Sequence, residues 1–98
     1  MSGLTITRED QPTRGRYVAR IAGIDAEAEL TFSKADEKLI IADHTGVPDA
    51  FRGKGVARAL FDRLVSDARA NGVKIIPLCP FVNAERQKRP EWADVFQT

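Results

Sequence analysis

The residues best suited to chemistry lie in the segment HTGVPDAFRGKGVA, at positions 44–57. Gly53 and Gly55 directly precede a stretch with helical apolar spacing. Three basic side chains surround these glycines, namely Arg52, Lys54 and Arg58. The first N–H groups of a helix have no partner within the helix, and glycine lets an anion approach them without meeting a Cβ atom. The pattern therefore predicts a cradle for a phosphate or diphosphate group.

Other glycine motifs fit this segment poorly. The glycines lie too close together for a P-loop, and no Lys-Ser or Lys-Thr pair follows them. In a dinucleotide fingerprint a third small residue would follow, whereas this chain has Arg58. A short glycine motif also has a simpler interpretation, in which Gly53 and Gly55 only form a turn and a loose helix cap.

His44 and Cys79 are the only histidine and the only cysteine in the chain. Imidazole titrates near neutral pH, so His44 can act as a general base toward an ammonium group. The Cys79 thiol can act as a nucleophile or as an acid. Both residues also have structural interpretations, since a lone histidine on a sheet is often only hydrogen-bonded and cysteine is often simply buried. Asp43 is a further carboxylate beside His44.

The length and charge of the chain limit the classes of protein to which it can belong. Ninety-eight residues are enough for one domain with a modest core. With 15 basic and 14 acidic residues, the chain lacks the basic excess of a non-specific nucleic-acid binder. One histidine and one cysteine exclude a His/Cys metal site and an intramolecular disulfide. No signal-peptide pattern or membrane-length apolar run is present, so we expect a cytoplasmic protein without a membrane partner.

The first half of the chain has the alternating apolar pattern of β-strands. Short turn clusters separate four such stretches, which favours an antiparallel meander. The apolar run at residues 39–42 predicts that the fourth strand is buried on both faces. The predicted strands are Leu4–Arg8, Arg16–Ala22, Ala26–Ser33 and Lys38–Val47.

The second half changes to helical spacing. Apolar residues from Val56 to Ala68 form the one-sided stripe of a helix that begins near Gly55 and ends at Asn71-Gly72. On its polar face, Arg58 with Asp62 and Arg63 with Asp67 are spaced to pair. The remaining predicted elements are a strand at 73–79 parallel to the fourth strand, a helix at Phe81–Arg89 and a packed tail at 91–96.

Residues 52–57, RGKGVA, match the R/Q-x-x-G-x-G/A pyrophosphate motif of the GNAT acyltransferase superfamily. The order β-β-β-β-α-β-α, over nearly the whole chain, is similar to a minimal GNAT core. With His-Thr before Val-Pro, CPFV after the last strand and RPEW, the chain resembles the small single-domain GNAT-like N-acetyltransferases. The resemblance implies one acyl-coenzyme A-binding domain over residues 1–98. Its fold would be an α+β or α/β mixed sheet: a four-stranded antiparallel meander, a helix, a parallel strand and a C-terminal helix.

The resemblance also implies a function, namely transfer of an acetyl group from acetyl-coenzyme A to an amine, either a small amine or a peptide. Backbone amides in the glycine loop would hold the pyrophosphate, and the end of the fourth strand would bind the pantetheine arm and polarise the thioester carbonyl. His44 and Cys79 would border the thioester as catalytic residues. The residues implied to bind acetyl-coenzyme A are Val47, Arg52, Gly53, Lys54, Gly55, Val56, Ala57 and Arg58.

Three features depart from the family pattern. In larger members, a tyrosine from the last helix acts as the acid that protonates the departing coenzyme A thiolate. The only tyrosine here is Tyr17, on an early predicted strand. Gly46 stands where the small group commonly has a glutamate. The segment EDQPTRG replaces the helices that cover the acceptor, so the acceptor groove should be open. These departures favour the alternative of a non-catalytic acyl-coenzyme A binding module. In a third interpretation the glycine loop binds nothing and the domain is structural.

Overall fold

Five strands form one mixed sheet in the order β1-β2-β3-β4-β5. The computed structural model describes residues 3–97, so the ends of the predicted 1–98 domain lie outside it. The first four strands form an antiparallel meander, and β5 runs parallel to β4. This arrangement confirms the predicted fold class. The strands are β1 (Leu4–Asp10), β2 (Arg14–Ile21), β3 (Ala28–Asp36), β4 (Leu39–Gly46) and β5 (Lys74–Pro77).

Two helices cover one face of this sheet. Helix α1 (Val56–Asn71) connects β4 to β5 and packs across β2 and β3, while α2 (Pro80–Lys88) packs against β4. Short 3-10 turns at Asp49–Phe51 and Pro90–Val95 precede α1 and follow α2. In the part of the chain that is described, no helix is long and apolar enough to cross a membrane.

The hydrophobic core lies between the sheet and α1. Leu60 and Leu64 are fully buried on the apolar stripe of α1. Alternate residues of β3, including Leu30 and Phe32, are also fully buried because successive strand residues point to opposite faces. The amphipathic patterns of both elements therefore predicted the core correctly.

The other face of the sheet, which we call the outer face, is polar. Arg16 of β2 points to this side because its neighbour Tyr17 points into the core. Its guanidinium group contacts three carboxylates, those of Glu9 at 2.8 Å, Glu29 at 2.9 Å and Glu27 at 3.3 Å. These ion pairs tie β1, β2 and the start of β3 together across the outer face.

Several strand boundaries differ from the predicted ones because residues of the turn clusters join the backbone ladder. Strands β1 and β2 extend toward each other until only residues 11–13 separate them, and the Gln11 N–H donates to the Arg14 carbonyl at 2.8 Å. Strand β3 starts two residues late and continues to Asp36. The Asp36 carboxylate then accepts the Lys38 N–H at 2.7 Å, which fixes a two-residue turn.

Helix α1 ends as predicted. Gly72 adopts a left-handed φ of +67°, and the Val73 N–H returns to the Ala68 carbonyl at 2.9 Å. This is the hydrogen-bond pattern by which glycine commonly closes a helix. The predicted pair between Arg63 and Asp67 also forms, with 3.1 Å between Nε and Oδ2.

The predicted pair between Arg58 and Asp62 is wrong. Helix α2 packs alongside the first turns of α1 and supplies other partners for both residues. Arg58 Nε lies 3.3 Å from Glu85, and Asp62 Oδ1 lies 2.6 Å from Arg89. Partners from a neighbouring helix therefore replace the local pairing.

The C-terminal tail covers the free edge of β5. Phe96 forms a parallel bridge with Ile75, and the Gln97 N–H donates to the Ile75 carbonyl at 2.9 Å. The Phe96 ring also stacks on Phe61 of α1, with 6.1 Å between ring centroids. The predicted packing of the tail is confirmed.

Candidate functional site

The glycine loop connects the end of β4 to α1. Gly53 and Gly55 have φ values of +76° and +73°, a region that residues with a Cβ atom rarely adopt. A Cβ atom added at either position would meet no atom of residues 3–97 within 4 Å apart from its neighbours in the chain. The backbone conformation therefore explains why glycine is used, and the open space leaves this stretch of backbone accessible.

The start of α1 is suited to an anion. Gly55 is the N-cap residue, and within residues 3–97 no side chain caps the helix there. The first turn of α1 also contains no acidic residue. Helix N–H groups ahead of the first internal hydrogen bond, here from Ala59 to the Gly55 carbonyl at 3.0 Å, carry partial positive charge. A diphosphate fits this arrangement.

Basic side chains surround the loop, as their positions in the sequence suggested. Arg52 is highly exposed and makes only a surface ion pair, 2.8 Å long, with Asp49. Such exposed pairs contribute little to stability, so Arg52 can exchange its partner for a ligand at small cost. Lys54 is exposed as well. Arg58 is two-thirds exposed and uses its Nε to contact Glu85.

Glu85 is a residue near the loop that the sequence analysis missed. Its side chain is buried on α2, and its Oε2 lies 3.3 Å from Arg58 and 3.8 Å from Arg89. Two guanidinium groups thus compensate the buried charge. The i,i+4 spacing of Glu85 and Arg89 was visible in the sequence, but the approach of Arg58 depends on how α2 packs.

The strands β4 and β5 separate near the loop. Their parallel pairing ends with Ala42 opposite Pro77, and the Cys79 N–H then donates to the Ala42 carbonyl at 2.8 Å. Pro77 cannot donate a ladder hydrogen bond, and the chain next turns into α2. Within residues 3–97, strand β4 continues to Gly46 paired with β3 alone. This free edge of β4 can accept an extended chain in the manner of an added strand.

A β-bulge marks the point of separation. Phe32 pairs with Ala42 and Thr31 pairs with His44, so Asp43 is an extra residue in β4. The Ser33 hydroxyl donates to Asp43 Oδ2 at 2.5 Å. Bulges bend a strand and redirect its side chains. Here the bulge lies where β4 leaves β5.

The two residues predicted to be catalytic lie on opposite faces of β4. Thr45 Oγ1 is 3.4 Å from Cys79 Sγ, on the side of the helices, and the Cys79 side chain is buried. His44 is exposed and precedes Thr45, so it points to the outer face. Both residues border the gap between β4 and β5, but the strand itself separates them.

The His44 ring lies along the outer face above Gly46. A Cβ atom added at Gly46 would be 3.3 Å from His44 Nε2, which is tighter than an ordinary contact. A side chain at position 46 would therefore require the imidazole to shift by a few tenths of an ångström. Gly46, treated above only as a departure from the family, thus leaves room for the His44 ring at this position.

Tyr17 lies elsewhere, in a partly buried polar network beneath α1. Its hydroxyl donates to Asp67 at 2.8 Å and accepts from Arg8 at 2.9 Å. Burial, reinforced by the hydrogen bond to Asp67, raises the pKa of Tyr17 well above its ordinary range. This tyrosine is a structural residue.

Across residues 3–97, no group of three or more His, Cys, Asp or Glu side chains is arranged to hold a metal ion.

Comparisons with known proteins identify the family and the fold of the chain. A family model described as GCN5-related N-acetyl-transferase matches residues 16–95. The NMR solution structure of a GCN5-like candidate N-acetyltransferase from Staphylococcus aureus is 33% identical in sequence, with a TM-score of 0.74. The match covers 99% of this chain and 91% of the Staphylococcus aureus chain.

Curated relatives share a shorter region. Protein NATD1 from Gallus gallus is 33% identical over 58 residues, which is 59% of this chain and 53% of that protein. Protein NATD1 from Homo sapiens is 33% identical over 58 residues, 59% of this chain and 51% of that protein. The matched region thus spans about half the length of these relatives.

Proposed function

The chain belongs to the GCN5-related N-acetyltransferase family, and on this premise we propose that it transfers an acetyl group from acetyl-coenzyme A to an amine. The observation that carries this function is the start of α1 at Gly55, where two solvent-facing glycines precede N–H groups that no side chain of residues 3–97 caps. The gap between β4 and β5 begins after Ala42, in the strand that leads into this loop. A diphosphate and an extended thioester arm could occupy these two adjacent features.

Different groups of the chain bind different parts of acetyl-coenzyme A. The backbone amides of Gly53, Gly55, Val56 and Ala57 hold the diphosphate, and the neighbouring cations Arg52, Lys54 and Arg58 add favourable charge. The free edge of β4, from residue 43 to Val47, binds the pantetheine arm through its backbone. When bound, acetyl-coenzyme A supplies an activated acetyl thioester.

Three groups around the gap support the transfer itself. A backbone N–H near Val47 polarises the thioester carbonyl. His44, on the outer face, takes the proton that the attacking ammonium group must lose. The Cys79 thiol, on the helix side, supplies a proton to the departing sulfur, a role that suits its burial better than attack on the acyl group. Most of the acceleration comes from holding thioester and amine together.

Calorimetry and thiol release together test this function. We expect acetyl-coenzyme A to bind with measurable heat and to release free thiol when suitable amines are present. His44→Gln should lower turnover about 100-fold, as loss of a general base does, while leaving the heat of binding unchanged. Arg20→Gln is the matched control, because Arg20 is exposed on β2, two strands away from β4, and its ion pair is with Glu27.

A non-catalytic acyl-coenzyme A binding module is the second candidate. The burial of Cys79 and the remote position of Tyr17 favour it, since neither side chain is freely available to a substrate. Binding heat without thiol release from any amine would establish this alternative. No heat at saturating acetyl-coenzyme A would exclude both functions.

A further inference from the structure

A cavity of about 490 Å³ opens on the outer face of the sheet next to the bulge. Strands β1 to β4 form its floor, and the short β1–β2 turn leaves it accessible. Both positive and negative side chains line it. The charged and polar residues are Glu9, Gln11, Arg14, Arg16, Thr31, Ser33 and Asp43.

Asp43 connects this cavity to the gap between the strands. It directly follows Ala42, the last residue of β4 that pairs with β5, and its side chain lines the cavity. The Ser33 hydroxyl fixes one carboxylate oxygen by its 2.5 Å hydrogen bond. A carboxylate can accept about four hydrogen bonds, so Asp43 retains capacity to bind an ammonium group.

The two arginines that line the cavity differ in how far their guanidinium groups are already occupied by contacts with other side chains. Arg16 contacts three carboxylates on the outer face. Among the contacts of residues 3–97, Arg14 makes one side-chain hydrogen bond, from its Nε to the neutral amide of Gln11 at 3.3 Å. Its two terminal nitrogens can therefore bind an anion, and a planar guanidinium suits a carboxylate.

Arg14, Ser33 and Asp43 lie on the outer face of three neighbouring strands, β2, β3 and β4. Arg14 of β2 pairs with Ser33 of β3, which hydrogen-bonds to Asp43 of β4. Adjacent strands are about 4.8 Å apart, so the backbones of β2 and β4 are separated by roughly 10 Å. A positive and a negative group thus face a small molecule from opposite ends of a polar floor.

We propose that this cavity binds the acyl acceptor, and that the acceptor is a small amino acid-like molecule with an amine at one end and a carboxylate at the other. The ammonium group binds Asp43, beside the gap and on the same face as His44, while the carboxylate binds Arg14. This inference rests on the proposed acetyl transfer and adds the substrate class.

Matched pairs of amines provide the test. β-Alanine and γ-aminobutyrate carry the carboxylate, and their amides have the same size without the charge. Because a hydrogen bond to a charged group is worth about 1.5–3 kcal/mol, we expect kcat/KM for each acid to exceed that of its amide by roughly 10- to 100-fold. Arg14→Gln should bring this ratio close to one by raising KM for the acids alone. Asp43→Asn should raise KM for all four amines, and Arg20→Gln should change neither quantity.

A binding measurement separates this inference from the proposed function. Titration of β-alanine into isotope-labelled protein should shift the amide signals of Ser33 and Asp43 even without acetyl-coenzyme A, and less so in Arg14→Gln. Equal turnover of acids and amides, with no effect of Arg14→Gln, overturns the inference while acetyl transfer stands. If no amine is acetylated, acetyl transfer fails, and the presence or absence of these shifts still decides whether the cavity binds such molecules.

Discussion

Replacing Gly55 with alanine separates the conformational role of this residue from a role in anion binding, because Gly72 offers a matched control. The two glycines flank α1, with φ values of +73° and +67°, and a Cβ atom at either would meet nothing within 4 Å. Each substitution therefore costs only the left-handed strain of about 1–2 kcal/mol. For a domain of this size, 1 kcal/mol lowers the melting temperature by roughly 4–8 °C, and we expect similar decreases for Gly55→Ala and Gly72→Ala.

The affinity for acetyl-coenzyme A should distinguish the two variants. A methyl group at Gly55 stands where a phosphate oxygen would approach the helix start, and losing one charge-assisted hydrogen bond costs about 1.5–3 kcal/mol. Calorimetry should therefore show roughly 10- to 100-fold weaker binding for Gly55→Ala and wild-type binding for Gly72→Ala. The measurement is made well below both melting temperatures, with stability taken from urea unfolding. Wild-type affinity in Gly55→Ala, or an equal loss in both variants, would refute the assignment of the diphosphate to this loop.

Three further substitutions, one of them with a matched control, test the chemistry and packing described above. Because burial and Asp67 raise the pKa of Tyr17 above its ordinary 10.0, its contribution to stability is complete below about pH 10 and lost as the pH rises further; Tyr17→Phe should lessen the fall in urea midpoint above that pH. Leu60→Ala should lower the unfolding free energy by about 2–5 kcal/mol, since Leu60 is fully buried, whereas exposed Leu78→Ala should change it by less than about 0.5 kcal/mol. Cys79→Ala should cost about 1 kcal/mol of stability and, if the thiol serves as the acid, about 100-fold in turnover; turnover equal to wild type would leave Cys79 as a packing residue.

Local patterns were sufficient to predict most of the fold. The apolar stripe of α1 is read from spacing alone, and the glycine at its end has the conformation that the sequence suggested. Strand alternation likewise placed Leu30 and Phe32 in the core. Such features depend on the period of the backbone and not on distant contacts, which is why one sequence suffices for them.

The arrangement of the candidate site depended on register, which local patterns do not contain. Ala42 and His44 are two residues apart, so regular alternation would put them on the same face of β4. The extra residue Asp43 reverses the alternation, leaving Ala42 in the core and His44 exposed. The contact of Arg58 with Glu85 was equally hidden, because it requires the packing of α2 against α1.

The C-terminal tail beside β5 affects whether the molecules associate with one another at high concentration. Phe96 and Gln97 engage backbone groups of β5 that would otherwise be a template for a strand from another molecule. At the opposite border of the sheet, β1 carries consecutive charged residues at its end, which discourage such pairing. Removing the tail would therefore expose the edge of the sheet at β5 and leave the edge at β1 unchanged. Self-association of the shortened chain should then increase with its concentration.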